Sequence, residues 1–152
     1  MRIVMDKTHA RDFMELLSYY EDAKGVVHCL EMDGDADAWA EALGDCDVIE
    51  ERVFALIKEA VNEAMGRGIK KAPDLKVPGG LEFFFFGPGE RCANLFQACR
   101  VAEDAASLSR SVFATNAMTP EERSKARKAW AERYRLRRRE LIDALEFVRV
   151  DK

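Results

Sequence analysis

Three aspartates at alternate positions, Asp33, Asp35 and Asp37, form the pattern in this sequence that comes nearest to a known ligand site. Their spacing matches positions 1, 3 and 5 of a calcium-binding loop, where carboxylate oxygens coordinate the ion. The match then fails, because position 6 requires glycine and holds Ala38, and position 12 requires glutamate and holds Gly44. We therefore predict no metal here, and interpret these acids as helix-capping residues on a solvated surface.

Cysteine and histidine chemistry has little support in the sequence. No two of the four cysteines are closer than seven residues, so none forms the Cys-x-x-Cys pair that zinc sites favour. We expect buried free thiols in a reducing compartment, and no metal or cofactor. A pair such as Cys92 with His9 could form only through folding, and it is the enzyme alternative that remains open. The expectation leans against an enzyme.

A glycine turn at 87–89 follows four consecutive phenylalanines at 83–86. A strand, a glycine turn and a helix start can together hold a phosphate through free backbone N–H groups. In this chain Pro88 removes one N–H, Glu90 places negative charge where the anion would lie, and no complete nucleotide-binding motif is present. We predict instead that 83–86 is a central strand buried on both faces, with the glycine turn as its exit.

A block of acidic residues occupies 31–51, where nine Asp and Glu side chains occur without one Lys or Arg. The whole chain carries a formal charge of only −4, so this segment is strongly asymmetric. Such repulsion requires solvent or a basic partner to offset it. We interpret the block either as a solvated surface or as a surface that docks into a basic groove of a partner protein. In the second case the acidic surface would imitate nucleic acid. The predicted acidic partner-binding residues are Asp33, Asp35, Asp37, Glu41, Asp45 and Asp47.

A basic block follows at 120–140, where nine Lys and Arg residues outnumber four acids. It could be a solvated helix, a nucleic-acid-binding helix, or a surface that pairs with the acidic block within one chain or across a homodimer. The acidic pI, near 5.3, disfavours nucleic acid, because phosphate neutralisation dominates that affinity. Pairing of the two blocks predicts that salt weakens self-association or stability. The predicted basic partner-binding residues are Arg127, Lys128, Arg135, Arg138 and Arg139.

The helices and strands that must position these charges are predicted from hydrophobic periodicity and from capping signals. Thr119, Pro120 and Glu122 form a capping box with proline at the first helical position. Thr8 is the expected cap of the first helix, which Gly25 would end. The predicted helices are 8–25, 35–43, 45–65, 90–114 and 120–146, the predicted strands are 1–5, 26–32, 81–86 and 146–150, and 66–80 is a loop.

The sequence thus predicts one globular domain of the α+β class, predominantly helical, with about five helices around a small sheet or central buried strand. An all-α fold is the alternative. The expected function is that of a small cytoplasmic, non-enzymatic interaction or regulatory protein that docks electrostatically onto a protein partner, with no membrane association. An inhibitor of a host nucleic-acid-binding complex, encoded by a phage or mobile element, fits by compositional analogy. The alternative is a nucleic-acid-binding regulator that uses the basic helix.

Overall fold

The computed structural model describes residues 3–67, 77–85, 90–108 and 119–150. Within them it confirms a predominantly helical α+β fold, with four helices rather than about five and one small antiparallel sheet. The chain divides into two compact units, Met1–Phe85 with Glu146–Lys152, and Phe86–Leu145. The elements are β1 (Ile3–Met5), α1 (Lys7–Asp33), α2 (Ala36–Arg67), β2 (Leu81–Phe83), α3 (Arg91–Leu108), α4 (Pro120–Ala144) and β3 (Phe147–Arg149).

The first unit is built on a hairpin of α1 and α2, joined by a two-residue link. The predicted strand at 26–32 is wrong, since these residues continue α1, and Gly25 lies inside the helix. The helix ends instead at Gly34, whose φ of 76° allows its N–H to bond the Leu30 oxygen at 3.1 Å. Its start also differs from the prediction, because Asp6 rather than Thr8 is the N-cap.

Helix α2 replaces two predicted helices, 35–43 and 45–65, that were expected to separate at Gly44. Ala42, Cys46, Val53 and Ile57 are all buried, so one apolar stripe continues past the glycine. Packing of that stripe outweighs the cost of about 1 kcal/mol for a glycine inside a helix.

The sheet of the first unit has the order β1-β2-β3, with both pairings antiparallel. The prediction of a central strand is confirmed for β2, but the strand ends at Phe83. Phe84 is 50% exposed and Phe85 is buried, so the run is not covered on both faces. Phe86 lies outside the described residues.

The second unit pairs α3 with α4. The predicted capping box is confirmed: Thr119 Oγ1 accepts from the Glu122 N–H at 3.2 Å, and the Glu122 carboxylate accepts from the Thr119 N–H at 3.4 Å. Helix α4 ends at Ala144, where Cys92 Sγ donates to the main-chain oxygen at 3.1 Å. Three predictions lie wholly or partly outside the described residues: the exit turn at 87–89, the helix beyond Leu108 and the loop over 68–76. No helix in the described ranges has the length and apolar character needed to cross a membrane.

Candidate interaction surfaces

The predicted acidic residues gather at the closed end of the α1–α2 hairpin, which we call the acidic tip: Asp33, Asp35, Asp37, Glu41, Asp45 and Asp47. All are exposed except Asp47, which is half-buried. Glu50, which belongs to the acidic block in the sequence, is fully buried and takes no part in this surface.

Helix capping accounts for only part of the acidic tip. Asp35 accepts a hydrogen bond from the Ala38 N–H at 3.1 Å, and Asp37 lies in the first turn of α2, where negative charge is favoured. Asp33 has no such benefit, because it ends α1 at the negative pole of the helix. Asp37, Glu41 and Asp45 follow one another at intervals of four residues, so they form two like-charge pairs that destabilise a helix.

The predicted basic residues divide between the surface and the interior of the second unit. Lys128 and Arg135 are exposed and Arg139 is partly exposed on one side of α4, and we call these three the basic face. Arg127 is exposed as well. Arg138 is only 1% exposed, which removes it from any surface that a partner could reach.

Arg138 lies against Tyr134, with its guanidinium carbon 4.9 Å from the centre of the phenol ring. Burial raises the pKa of Tyr134 to about 12, although the hydrogen bond and the charge of Arg138 act in the opposite direction. Tyr134 therefore stays protonated at neutral pH, and the pair acts as a buried polar contact.

A shallow groove of about 410 Å³ runs between α3 and α4. Val101 and Trp130 contribute its apolar surface, and Arg133 stacks on the Trp130 ring at 4.8 Å. Arg137, at the edge, binds Glu140 at 3.0 Å. One residue of this groove could be singled out from the sequence, because Arg137 falls near the apolar face of the predicted helix.

A second pocket, of about 330 Å³, lies in the first unit beside the start of α1, and sequence reasoning missed it. Lys7 and Arg11 come from α1 and Arg149 from β3, near the other end of the chain. Lys7 and Arg11 alone give only an ordinary pair of exposed cations. Folding adds the third, because β2 pairs with β3 and aligns Leu81 with Arg149.

His9 is paired with acidic side chains of its own unit. His9 Nδ1 lies 2.7 Å from Asp6 and its Nε2 lies 3.4 Å from Glu59, whereas Cys92 belongs to the other unit. Among the described residues, no group of three or more His, Cys, Asp and Glu side chains is placed to hold a metal ion. Cys46, Cys92 and Cys99 are buried free thiols as predicted, but Cys29 is exposed.

Comparison of the chain with protein-family models, curated proteins and solved structures gave no match. The chemistry of these surfaces is therefore the basis for the function proposed below.

The Asp6–His9 pair predicts a pH dependence at the start of α1. The Asp6 carboxylate accepts a hydrogen bond from the His9 ring, and this bond, reinforced by the charges of Asp6 and Glu59, raises the pKa of His9. The stabilisation is therefore complete below about pH 6.5 and is lost as pH rises through the pKa of His9 in the folded protein. The ring is 39% exposed, so we expect a loss of only a few tenths of a kcal/mol between pH 5.5 and 8.5. Urea unfolding of wild type and His9→Gln at both pH values measures it.

The variant His9→Gln should lose this part of the pH dependence. The control His28→Gln removes an exposed histidine further along α1 and should keep the wild-type difference. Equal pH dependence in wild type and His9→Gln would contradict the assignment.

Proposed function

We propose that the protein is a small non-catalytic interaction protein that docks through its acidic tip onto a basic surface of a protein partner. The observation that carries this proposal is the row of Asp37, Glu41 and Asp45 on one side of α2, exposed and without an intervening cation. Each like-charge pair at this spacing costs the helix about 0.2–0.5 kcal/mol. A basic partner would offset that repulsion and would be drawn to the tip over a distance of about one Debye length.

A finer form of the proposal concerns the kind of partner. Carboxylates at regular intervals along a helix are complementary to a groove lined with Lys and Arg, of the kind that holds a nucleic-acid backbone. An inhibitor of a host nucleic-acid-binding complex would work in this way, in a reducing compartment such as the cytoplasm. The phage or mobile-element origin rests on composition alone.

Removing the negative charges of Asp37, Glu41 and Asp45 should affect partner binding much more than stability. In the triple variant Asp37→Asn, Glu41→Gln and Asp45→Asn, both like-charge pairs disappear, which relieves about 0.4–1 kcal/mol. The loss of the first-turn acid Asp37 costs about 0.3–1 kcal/mol, so we expect stability at low salt to change by no more than about 0.7 kcal/mol in either direction. The same variant should lose salt-sensitive capture of basic proteins from native lysate, measured by quantitative mass spectrometry.

The matched control is Asp22→Asn, Asp104→Asn and Glu132→Gln, which removes three exposed acids outside the acidic tip and changes the net charge equally. It should retain the captured proteins. Capture that survives in the tip variant, or disappears equally in both variants, would argue against docking through the tip.

The basic face of α4 supports the alternative function, a nucleic-acid-binding regulator. Its support is the placement of Lys128, Arg135 and Arg139 on one side of the helix, which a phosphate backbone could follow. The two functions are distinguished by a gel shift with duplex DNA and with RNA at low salt. The alternative requires a shift that charge reversal of these three residues abolishes.

A further inference from the structure

The pocket between α1 and the sheet is a concave site whose charged lining residues are all cations. Its polar lining is Lys7, Thr8, Arg11 and Arg149, and its apolar lining includes Leu81. Its volume of about 330 Å³ lies at the lower end of the range for small-molecule sites, which is roughly 300–1,000 Å³.

The backbone around the pocket fixes where these cations stand. The Gly79 N–H bonds the Val150 oxygen at 2.9 Å and the Val150 N–H bonds the Gly80 oxygen at 2.9 Å, so the sheet pairing continues past Leu81 and Arg149. A side chain at Gly79, where φ is 79°, would press on the stem of Lys7. A Cβ at Gly80 would collide with the main-chain oxygen of Met5. The close approach of β1 to this segment therefore depends on Gly80, whereas Gly79 leaves room for the side chain of Lys7.

The two acids adjacent in sequence to Lys7 and Arg11 do little to neutralise these cations. Asp6 is turned to His9, accepting from its backbone N–H at 2.8 Å and lying 2.7 Å from its ring nitrogen. Asp12 reaches Arg11 only at 3.8 Å, and both side chains are at least half exposed. Lys7 and Arg11 are a like-charge pair four residues apart, and Arg149 adds a third positive charge beside them. Three clustered cations repel one another, and an anion would relieve that repulsion.

We propose that this pocket binds a small phosphorylated molecule. Guanidinium groups donate paired hydrogen bonds to phosphate oxygens, and ammonium and hydroxyl groups add single ones, which is the set that Arg11, Arg149, Lys7 and Thr8 supply. A phosphate monoester carries close to two negative charges at neutral pH and matches three cations better than a single carboxylate does. The apolar lining then contacts the rest of the ligand, which is no larger than a mononucleotide. This site is independent of the docking function proposed for the acidic tip.

Binding is tested by titrating the full chain with adenosine monophosphate, inorganic phosphate and adenosine, followed by amide NMR shifts and calorimetry. Adenosine monophosphate should shift the amides of Lys7, Thr8 and Arg11, phosphate should bind more weakly, and adenosine should not bind. The double variant Arg11→Gln with Arg149→Gln should weaken binding at least tenfold. The control Arg52→Gln with Arg91→Gln removes two exposed arginines from other helices and should bind as wild type does.

Three results would overturn the proposal. One is the absence of amide shifts at millimolar adenosine monophosphate, and another is equal binding by the pocket and control variants. The third is binding of an oligonucleotide without binding of the mononucleotide, which would assign these cations to a nucleic-acid backbone. Circular dichroism verifies folding, and the single variant Lys7→Gln, expected to weaken binding several-fold, repeats the test if the double variant unfolds.

Discussion

Replacing Phe83 by alanine is expected to lower the free energy of unfolding by about 3–5 kcal/mol, the range for removing a buried aromatic ring. Phe83 is 5% exposed, and its ring centre lies 5.2 Å from that of Phe13 and 5.5 Å from that of Phe147. Phe13 meets Phe147 at 5.5 Å, so the three rings pack mutually and join α1, β2 and β3. Truncation leaves a cavity and also removes the aromatic contacts.

The neighbouring residue supplies a control with the same chemistry. Phe84 is 50% exposed and follows the end of β2, so Phe84→Ala should cost no more than about 1 kcal/mol. Urea unfolding followed by circular dichroism compares the two variants. Equal losses, or a larger loss for Phe84→Ala, would contradict the orientation of the strand.

The same four phenylalanines show what the sequence could and could not predict. Their uninterrupted apolar character indicated a central strand, and β2 has that place. A run of identical residues has no periodicity, however, so nothing in it distinguished the inward Phe83 and Phe85 from the outward Phe84. That distinction comes from α1, whose Phe13 covers only one face of the sheet at this point.

Local signals predicted structure well where all the interacting atoms lie within one turn. The Thr119 capping box is such a case, because its two hydrogen bonds join residues three apart. The misassigned segment at 26–32 is the opposite case. Its β-branched residues favour a strand, but it continues a helix that is already formed, and extending a helix avoids the cost of a new nucleus.

The two candidate sites show the same contrast between local and long-range interactions. The acidic tip could be predicted because its members are near neighbours in the sequence. The cationic pocket could not, since Arg149 joins Lys7 and Arg11 only through strand pairing across most of the chain.

Replacing Arg138 by alanine should lower the free energy of unfolding by about 2–5 kcal/mol, the range for truncating a large buried side chain to alanine. The guanidinium is 1% exposed and stacks on Tyr134, to which it is also hydrogen-bonded. Truncation creates a cavity and removes a hydrogen-bond partner of the half-buried Tyr134 phenol. Arg138→Met keeps most of the side-chain volume without a buried charge, so its loss should be smaller.

Lys128→Ala is the control, since Lys128 is an exposed cation on the same helix and its loss should change stability by no more than about 0.5 kcal/mol. Urea unfolding of the three variants under identical conditions makes the comparison. An alanine variant at 138 as stable as Lys128→Ala would show that Arg138 is a surface residue after all. If the expected order holds, weaker partner binding in an Arg138 variant reports a damaged fold, and contact of α4 with nucleic acid must be tested at exposed cations such as those of the basic face.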